Sequence, residues 1–308
     1  MPSAISFVVP AYNEARFIDQ CLSAITLRCT EASINFELIV IDNGSTDNTA
    51  DLARQYTSHV HSLDRSSVSH ARNIGASLAT NELLVFIDGD VTISSKWVET
   101  LLTDYSSFLD SPFFISGHQC KVPPNGSWIE RYWFGNIKDK LFGGANIITT
   151  QQAFKKLQGF DTTLKTGEDY DFCIRAISAS FLYLDNEGYE AIHLGFPQTL
   201  YGFIKREYWH GEGDFKSLKQ LIRSPVSLIA LGYLFTQIIA LATLFQHEIL
   251  ISLALIAGLL TGNQTITWYR FHKCNPATIV LNSALNYCYF CARSFSWLRT
   301  LKNKKKTY

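Results

Sequence analysis

Short apolar runs alternate with amphipathic stretches along the N-terminal third of the chain. The runs read ISFVV, FELIVI, HVHSL and LLVFI, and the stretches between them read EARFIDQCLSAI, TDNTADLARQY and SHARNIGASLA. Short continuous apolar runs are typical of strands that are covered on both faces, whereas the intervening stretches have helical spacing. Repetition of strand and helix with short connections predicts an α/β fold with a mostly parallel sheet and right-handed crossovers.

A different pattern occupies the C-terminal part of the chain. Two apolar runs, at residues 226–245 and 249–267, are each close to the roughly 20 residues that cross a bilayer. Between Arg223 and Arg270 there is no Lys or Arg, and Glu248 is the only acidic residue. We interpret this pattern as a transmembrane helical hairpin. A pair of buried soluble helices is the alternative, although such helices normally carry a charged face.

Basic residues flank the predicted hairpin on both sides: Lys216, Lys219 and Arg223 precede it, and Arg270, His272 and Lys273 follow it. The excess of positive charge predicts that both ends of the hairpin face the cytosol. A third apolar run, at residues 277–298, is interpreted as a helix that lies in the interface or re-enters it, with a third span as the alternative. The tail from Lys302 to Lys306 suits anionic headgroups.

Length, charge and cysteine content narrow the class of protein. The 308 residues allow a large domain over residues 1–215 and a membrane-anchoring region over residues 216–308. A formal net charge of zero argues against nucleic acid as a partner. The seven cysteines are scattered and odd in number, which fits a reducing compartment.

Carboxylates follow the predicted strands. Asp42 ends the second strand, Asp88 and Asp90 follow the fourth, and Glu14 lies in the loop after the first. The ligand crevice of an open α/β sheet lies at the carboxyl ends of its strands. Two carboxylates separated by one glycine repel each other unless a cation compensates them, and hard oxygen ligands suit Mg²⁺ or Mn²⁺ carrying a diphosphate. An ordinary Asp-Gly turn is the alternative.

Five motifs together resemble those of family 2 glycosyltransferases with a GT-A fold. They read FVVPAYNEARFIDQCLSAI, ELIVIDNGSTDNT, SHARNIGASLATNELLVFIDGD, GGAN and GEDYDFCIRA, in this order. The chain has neither a G-x-G-x-x-G motif after its first strand nor a Walker lysine loop, which disfavours dinucleotide-binding and P-loop folds. The resemblance implies a sugar transferase that uses a nucleotide-diphospho-sugar donor and a divalent metal.

The resemblance also implies which residues bind the nucleotide. Pro10, Tyr12 and Glu14 would line the nucleoside pocket, and Asp42 would accept a hydrogen bond from the base. Arg72 would bring its guanidinium to the diphosphate. A surface arginine is the alternative for Arg72, and a helix cap is the alternative for the segment 45–47.

The expected metal and sugar contacts come from three further segments. Asp90 would bind Mg²⁺ or Mn²⁺ directly, and Asp88 would bind the ribose or the ion. His193 would be a further metal or diphosphate ligand, or else a satisfied structural histidine. Asn146, in the GGAN motif, would shape the sugar pocket, with an ordinary loop as the alternative.

Family members that invert the anomeric centre place their general base in the Glu168–Asp169 pair. We expect Asp169 to remove the proton of the acceptor hydroxyl in a single in-line displacement, and Glu168 to orient the base or meet the acceptor.

Asp171 and Arg175, four residues apart, fit an ordinary helical pair. Residues 203–215, which include Arg206, are not a clean match to the Gln-x-x-Arg-Trp signature of processive members, and this favours transfer of a single sugar.

A membrane anchor suggests a lipid-linked hydroxyl acceptor, with the catalytic domain on the cytosolic side of a bacterial inner membrane. Two alternatives stay open: transfer to polyprenyl phosphate itself, and a non-catalytic nucleotide-sugar-binding protein. A nucleotidyltransferase is disfavoured because the G-x-G-x-R phosphate loop that we expect after the first strand is absent.

Overall fold

The computed structural model describes residues 4–137, 141, 143–215, 218–271 and 275–299. The chain packs into two compact units, one of residues 1–123 and 139–195 and one of residues 124–138 and 196–308. The predicted domain boundary at residue 215 therefore differs from the packing, which groups residues 196–215 with the C-terminal unit. Several predicted basic flanking residues lie outside the described residues: Lys216, His272, Lys273 and Lys302 to Lys306.

The first unit is built on a seven-stranded sheet and a two-stranded sheet. The strands are β1 (Ile5–Ala11), β2 (Phe36–Asp42), β3 (Val60–Ser62), β4 (Leu83–Ile87), β5 (Val91–Ile93), β6 (Phe114–Gly117), β7 (Asn146–Thr150), β8 (Leu182–Asp185) and β9 (Ala191–His193). The larger sheet has the order β3-β2-β1-β4-β7-β6-β8, and the smaller one pairs β5 with β9. Within the larger sheet β7 runs antiparallel to β4 and β6, and the other pairs are parallel. The predicted mostly parallel sheet is confirmed.

Six helices of the first unit cover the sheet: α1 (Ile18–Glu31), α2 (Thr49–Ala53), α3 (Val68–Leu78), α4 (Ser95–Asp110), α5 (Gln151–Lys156) and α6 (Glu168–Ser178). Alternate residues of each central strand enter two different apolar clusters, because successive side chains point to opposite faces of a sheet. Phe7 and Val85 join the cluster that contains Trp97, whereas Val8 and Phe86 join the other cluster. Both faces of the sheet are therefore covered, as the continuous apolar runs predict.

Helix α2 is only five residues long, which is shorter than the predicted stretch TDNTADLARQY. The first residues of that stretch are held by the loop after β1. The Thr46 N–H donates to Asn13 Oδ1 at 2.8 Å, and Asp47 Oδ2 accepts from the Ala15 N–H at 3.2 Å. These long-range hydrogen bonds keep residues 46–48 out of the helix.

The fold brings chemically active residues to one edge of the sheet. Strand β1 lies between β2 and β4 and is parallel to both, so the loops that follow these three strands are neighbours. The antiparallel pairing of β5 with β9 places His193 opposite Val91, one residue after Asp90. Residues far apart in the sequence thus meet where the central strands end.

The second unit is helical. Its elements are a π-helical turn (Glu130–Phe134), α7 (Leu200–His210), a 3-10 turn (Gly211–Phe215), α8 (Leu218–Arg223), α9 (Pro225–Phe245), α10 (Ile249–Phe271) and α11 (Pro276–Ser294). Helices α9 and α10 have 21 and 23 residues and are long and apolar enough to cross a membrane. Few of their residues are buried within the protein, which is the opposite of what the alternative of buried soluble helices requires. The predicted apolar helical pair is confirmed. Helix α11 packs against α7, α9 and α10.

Candidate active site

The loop after β1 is joined to the loop after β2 by backbone and side-chain hydrogen bonds. The Asn13 N–H donates to Ser45 Oγ at 2.9 Å, and the Glu14 N–H donates to Thr49 Oγ1 at 2.8 Å. Asn13 adopts a left-handed conformation with φ of 56°. The polar residues after β2 therefore fix the loop that carries Tyr12 and Glu14, and Asp47 Oδ1 also accepts from the Thr49 N–H at the start of α2, at 3.1 Å.

The residues predicted for the nucleoside pocket differ in their exposure to solvent. Asp42 is 5% exposed, and its Oδ1 accepts a hydrogen bond from the Ser45 N–H at 3.1 Å. Pro10 is buried in β1, in register with Ile41 of β2. The Tyr12 side chain, in contrast, is exposed at the mouth of this edge.

Arg65 covers the ring of Tyr12, with its guanidinium carbon 3.5 Å from the ring centroid. The segment around Arg65 is fixed by Asn43, whose side chain accepts from Ser66 N and Oγ and donates to Ser66 O. Gly44 lies under this segment, because a Cβ atom there would be 2.9 Å from the Arg65 nitrogen. Arg65 lies outside every motif of the sequence and was therefore not among the predicted site residues.

Three carboxylates lie close together at the end of β4. A Cβ atom at Gly89 would be 3.4 Å from Cγ of Glu14, which places Glu14 beside the Asp88–Asp90 segment. Burial and the negative charges of Asp90 and Asp88 raise the pKa of Glu14 to about 8. Glu14, predicted for the nucleoside pocket, thus lies with Asp88 and Asp90 in one group of carboxylates, called here the acidic cluster.

Asp90 is held by the segment that follows β9. The Leu194 N–H donates to the Asp90 carbonyl at 2.8 Å, and His193 Nδ1 lies 3.5 Å from Asp90 Oδ2. Gly195 completes this contact, because any side chain at that position would collide with Asp90 Oδ2. His193 therefore lies beside Asp90, and its role as a metal or diphosphate ligand stays a prediction. Gly195 is a residue that sequence reasoning missed.

The donors in this cluster fit a hard divalent cation, although the predicted ligand set is only partly brought together. Among the described residues, no group of three or more His, Cys, Asp or Glu side chains is arranged to hold a metal ion. Asp90 and His193 are adjacent, whereas Asp88 Oδ1 binds Arg72. Oxygen donors of this kind suit Mg²⁺ or Mn²⁺, and a dication would relieve the repulsion that raises the pKa of Glu14.

Arg72, on α3, joins the end of β4 to the start of α6. Its Nη2 lies 2.6 Å from Asp88 Oδ1 and its Nη1 lies 2.8 Å from Glu168 Oε1. The side chain is 2% exposed, so the alternative of a surface arginine is wrong. Burial alone would lower the pKa of the guanidinium, but the charges of Asp88 and Glu168 outweigh burial and raise it. Contact between Arg72 and a diphosphate stays a prediction.

The GGAN loop meets the start of α6. The Gly144 N–H donates to Asp169 Oδ2 at 2.8 Å, and the Tyr170 N–H donates to Asp169 Oδ1 at 2.8 Å. A Cβ atom at Gly144 would be 2.9 Å from Nη1 of Arg72, so glycine is required for this approach. Two backbone donors thereby orient the carboxylate of Asp169.

Glu168 and Asp169 have different environments although they are adjacent. Glu168 is buried and bound to Arg72, whereas Asp169 is partly exposed. Burial raises the pKa of Glu168, the charge of Asp169 adds to this effect, and Arg72 opposes it. The more accessible carboxylate of the pair is therefore Asp169.

Asn146 does not have the contacts expected of a residue in the sugar pocket. Its side chain is fully buried, its Oδ1 accepts from Trp97 Nε1 at 2.9 Å, and its Nδ2 donates to the carbonyls of His118 at 3.1 Å and Tyr189 at 3.0 Å. Both amide hydrogens and the amide oxygen are thus bonded inside the protein. The prediction for Asn146 is corrected: this amide joins α4, β7, the segment after β6 and the segment before β9.

Several other polar residues have structural contacts. Arg175 Nε lies 2.7 Å from Asp171 Oδ2, which confirms the ordinary helical pair. In the second unit, Arg206 pairs with Glu207 at 2.7 Å. Burial and the charges of Arg206 and Arg293 lower the pKa of His210 to about 2, which keeps its imidazole neutral.

Two protein-family models together match most of the chain. The model described as "Glycosyl transferase family 2" matches residues 6–153, and the model described as "Glycosyl transferase family group 2" matches residues 132–281. The first match contains the acidic cluster and Arg72. The second contains the GGAN loop, the Glu168–Asp169 pair and helices α9 and α10.

Similar proteins are sugar transferases. Glycosyltransferase AglE from Haloferax volcanii is 29% identical over 228 residues, which cover 69% of this chain and 73% of AglE. Validoxylamine A glucosyltransferase from Streptomyces hygroscopicus subsp. jinggangensis is 37% identical over 108 residues, which cover 33% of this chain and 25% of that protein. The chain thus spans most of the first relative and about a quarter of the second.

One solved structure resembles nearly the whole chain. The mannosyltransferase PcManGT from Pyrobaculum calidifontis, in complex with GDP-Man and Mn²⁺, has a TM-score of 0.58 and 18% sequence identity. The likeness covers 98% of this chain and 88% of that chain. It shows a common fold, and the predicted GT-A architecture with a C-terminal pair of apolar helices is confirmed.

A double-mutant cycle should detect the buried coupling between Arg72 and Glu168. Arg72→Met alone should lower the free energy of unfolding by about 3–5 kcal/mol, because it leaves two carboxylates without their cation. In the double variant with Arg72→Met and Glu168→Gln, the free energy of unfolding should fall by less than the sum of the two single losses. The difference should be about 1–3 kcal/mol. Urea denaturation measures all three variants. The exposed pair of Arg28 and Glu31, 2.8 Å apart, is the control and should show coupling below about 1 kcal/mol; equal coupling in the two pairs would contradict the assignment.

Asn146→Ala should destabilise the protein by about 2–4 kcal/mol, because it leaves the Trp97 indole N–H and two buried carbonyls without partners. Chemical denaturation measures this loss. Asn48→Ala is the matched control, since Asn48 is exposed and its side chain makes no cap hydrogen bond, and it should change stability by less than about 0.5 kcal/mol. An unchanged stability in Asn146→Ala together with a raised KM for the donor would restore the sugar-pocket role.

Proposed function

The chain belongs to glycosyltransferase family 2, and from this premise we propose that it transfers one sugar from a nucleotide-diphospho-sugar to an acceptor hydroxyl, with inversion at the anomeric carbon. The observation that carries this proposal is the arrangement around Arg72. The guanidinium binds Asp88 of the acidic cluster and Glu168 of the acidic pair on α6. This arrangement supports a site in which the metal diphosphate and the general base would be held in one place.

The donor's nucleoside would bind between the loops that follow β1 and β2. The buried carboxylate of Asp42 can accept a hydrogen bond from a ring N–H, which uracil and guanine both offer. The exposed ring of Tyr12 offers a stacking surface, and Arg65, now on that ring, would move or stack on the other side of the base. Arg65 is thus an additional candidate for base contact.

Asp90 and His193, with Asp88, would hold Mg²⁺ or Mn²⁺. The bound metal would act as a Lewis acid that offsets the charge developing on the leaving diphosphate. The protein's own contribution is to hold Asp90 in place, through the Leu194 N–H and the close approach of Gly195. Arg72 holds Asp88 beside it.

Asp169 would be the general base. Its two backbone hydrogen bonds fix the carboxylate, and its partial exposure lets an acceptor hydroxyl approach. The carboxylate takes the proton as the acceptor oxygen forms its bond to C1 and the bond from C1 to the diphosphate breaks. Glu168, held by Arg72, would position this residue and α6.

Helices α9 and α10 would anchor the protein in the cytoplasmic membrane of a prokaryotic cell, with the catalytic unit on the cytosolic side. The length, the apolar character and the low burial of the two helices support insertion, and the basic residues at their flanks support the orientation. An enzyme fixed at a membrane meets lipid-linked acceptors at high local concentration, so we propose a lipid-linked hydroxyl as the acceptor.

Asp169→Asn should lower kcat by about 10²–10⁴-fold, because the amide cannot accept the proton, while the KM for the donor changes little. Release of nucleoside diphosphate measures the rate. Asp171→Asn is the matched control, since Asp171 lies in the same turn and pairs with Arg175, and it should retain most of the activity. Unchanged transfer to polyprenyl phosphate by Asp169→Asn would favour a phosphate acceptor, which needs little help from a base.

A nucleotide-sugar donor together with Mn²⁺ should raise the midpoint of thermal unfolding, because a ligand that binds only the native state stabilises it. A ligand present at a hundred times its Kd contributes about 2.7 kcal/mol. Asp90→Ala should abolish the part of the rise that depends on Mn²⁺. Asp51→Asn, which alters an exposed partner of Arg54, should respond like the unaltered protein. A full response of Asp90→Ala would exclude Asp90 as a ligand.

A further inference from the structure

A chain of polar side chains connects the three long helices of the second unit. Tyr233 Oη and Asn286 Nδ2 both donate to Asn263 Oδ1, at 2.9 and 3.0 Å, and Asn263 Nδ2 donates to the Ser283 carbonyl at 2.9 Å. The chain ends at Arg270, whose Nη1 donates to Asn286 Oδ1 at 3.0 Å. Polar groups are rare in apolar helices of this kind, and they generally serve a function there.

The guanidinium of Arg270 lies against two aromatic rings. Its central carbon is 4.9 Å from the ring centroid of Trp133 and 4.9 Å from that of Tyr289. These cation–π contacts and the hydrogen bond to Asn286 fix the plane and the direction of the group. Arg270 is thus a preorganised cation rather than a mobile surface side chain.

Within the described part of the chain, no carboxylate forms an ion pair with Arg270. The other arginines that surround α7 and α11 have such partners. Arg206 and Arg293 lie 2.7 and 3.0 Å from the oxygens of Glu207, and Arg299 lies 2.9 Å from Glu212. A half-buried cation beside apolar helices is costly without an opposite charge. The missing charge is therefore expected to come from a ligand.

The neighbours of Arg270 along α10 indicate the level at which it lies. Trp268 and Tyr269 are 57% and 81% exposed, although both are large and partly apolar. Exposed Trp and Tyr at the end of an apolar helix are typical of the membrane–water interface, which is also the level of lipid headgroups. Arg270 follows these residues directly and so lies where lipid phosphates are found.

We propose that Arg270 binds the phosphate group of a membrane lipid. A guanidinium offers paired N–H donors that match two phosphate oxygens. Among the described residues, Asn286 is the one hydrogen-bond acceptor of Arg270, which leaves further donors for this contact. Trp133 and Tyr289 contact the guanidinium through their rings, and Asn286 is a positioning residue that orients it by a hydrogen bond. The lipid's chains would lie along the apolar surface of α10. The proposal rests on the proposed insertion of α9 and α10 in a membrane, but it concerns binding and does not depend on the transferase activity.

Binding is measured by isothermal titration calorimetry on the full chain in a neutral, phosphate-free detergent. The probes are short-chain phosphatidic acid, a short isoprenyl monophosphate, neutral diacylglycerol of the same chain length, and inorganic phosphate. Both phosphorylated lipids should bind. Diacylglycerol and inorganic phosphate should bind at least about tenfold more weakly, because diacylglycerol lacks the phosphate and inorganic phosphate lacks the apolar chains. Tight binding of phosphatidic acid alone assigns the site to bulk headgroups, and tight binding of the isoprenyl phosphate alone assigns it to an isoprenoid-linked ligand.

Arg270→Gln should weaken binding of the phosphorylated lipids by about tenfold or more, since a charge-assisted bidentate contact is lost. Arg270→Lys keeps the charge but not the planar fork, and it should weaken binding by a smaller factor. Arg131→Gln is the matched control, because Arg131 is an exposed arginine that also lies over an aromatic ring, that of Tyr132, and it should bind as the unaltered protein does.

Asn286→Leu removes the orienting hydrogen bond and keeps the cation, so it should weaken binding of the phosphorylated lipids without abolishing it. If Arg270→Gln does not fold, as judged by circular dichroism, Arg270→Lys and Asn286→Leu decide the question. Equal affinity of folded Arg270 variants and the unaltered protein would overturn the proposal. Equal affinity of the unaltered protein for diacylglycerol and phosphatidic acid would overturn it as well.

Discussion

The candidate active site depends on one buried cation. Arg72 is withdrawn from water and lies between two carboxylates, one after β4 and one at the start of α6. A buried guanidinium is tolerated only where opposite charges and hydrogen bonds replace its hydration, so its partners cannot move away independently. Gly144 lies against the guanidinium and also donates to Asp169. The position of the candidate base is therefore tied to the position of the acidic cluster.

This constraint gives two adjacent carboxylates different environments. Glu168 satisfies Arg72 and is buried, whereas Asp169 is oriented by backbone donors and stays accessible. Only a carboxylate that an acceptor can reach is able to take its proton in the displacement. The proposed division of roles follows from the different partners of the two side chains, because the two residues share the same helical turn.

The apolar runs were sufficient to predict β1, β2 and β4, and the carboxylates at their ends, because burial and strand direction are local properties of such runs. Asn146 was misjudged because its three partners come from positions 97, 118 and 189, which no local pattern connects. Arg65 and Gly195 were missed for the same reason: their importance arises from contacts with Tyr12 and Asp90 across the fold. Tertiary hydrogen bonds also shortened α2.

Arg72 in the first unit and Arg270 in the second have different kinds of contact partners, and these partners indicate different roles. Arg72 receives two carboxylates from its own unit, which is what a structural cation requires. Arg270 receives aromatic rings and an amide oxygen, which orient a cation but do not neutralise it. A guanidinium that is oriented and not neutralised by the described residues has the properties of a binding group. At the level marked by Trp268 and Tyr269, the anion that meets both requirements is a lipid phosphate.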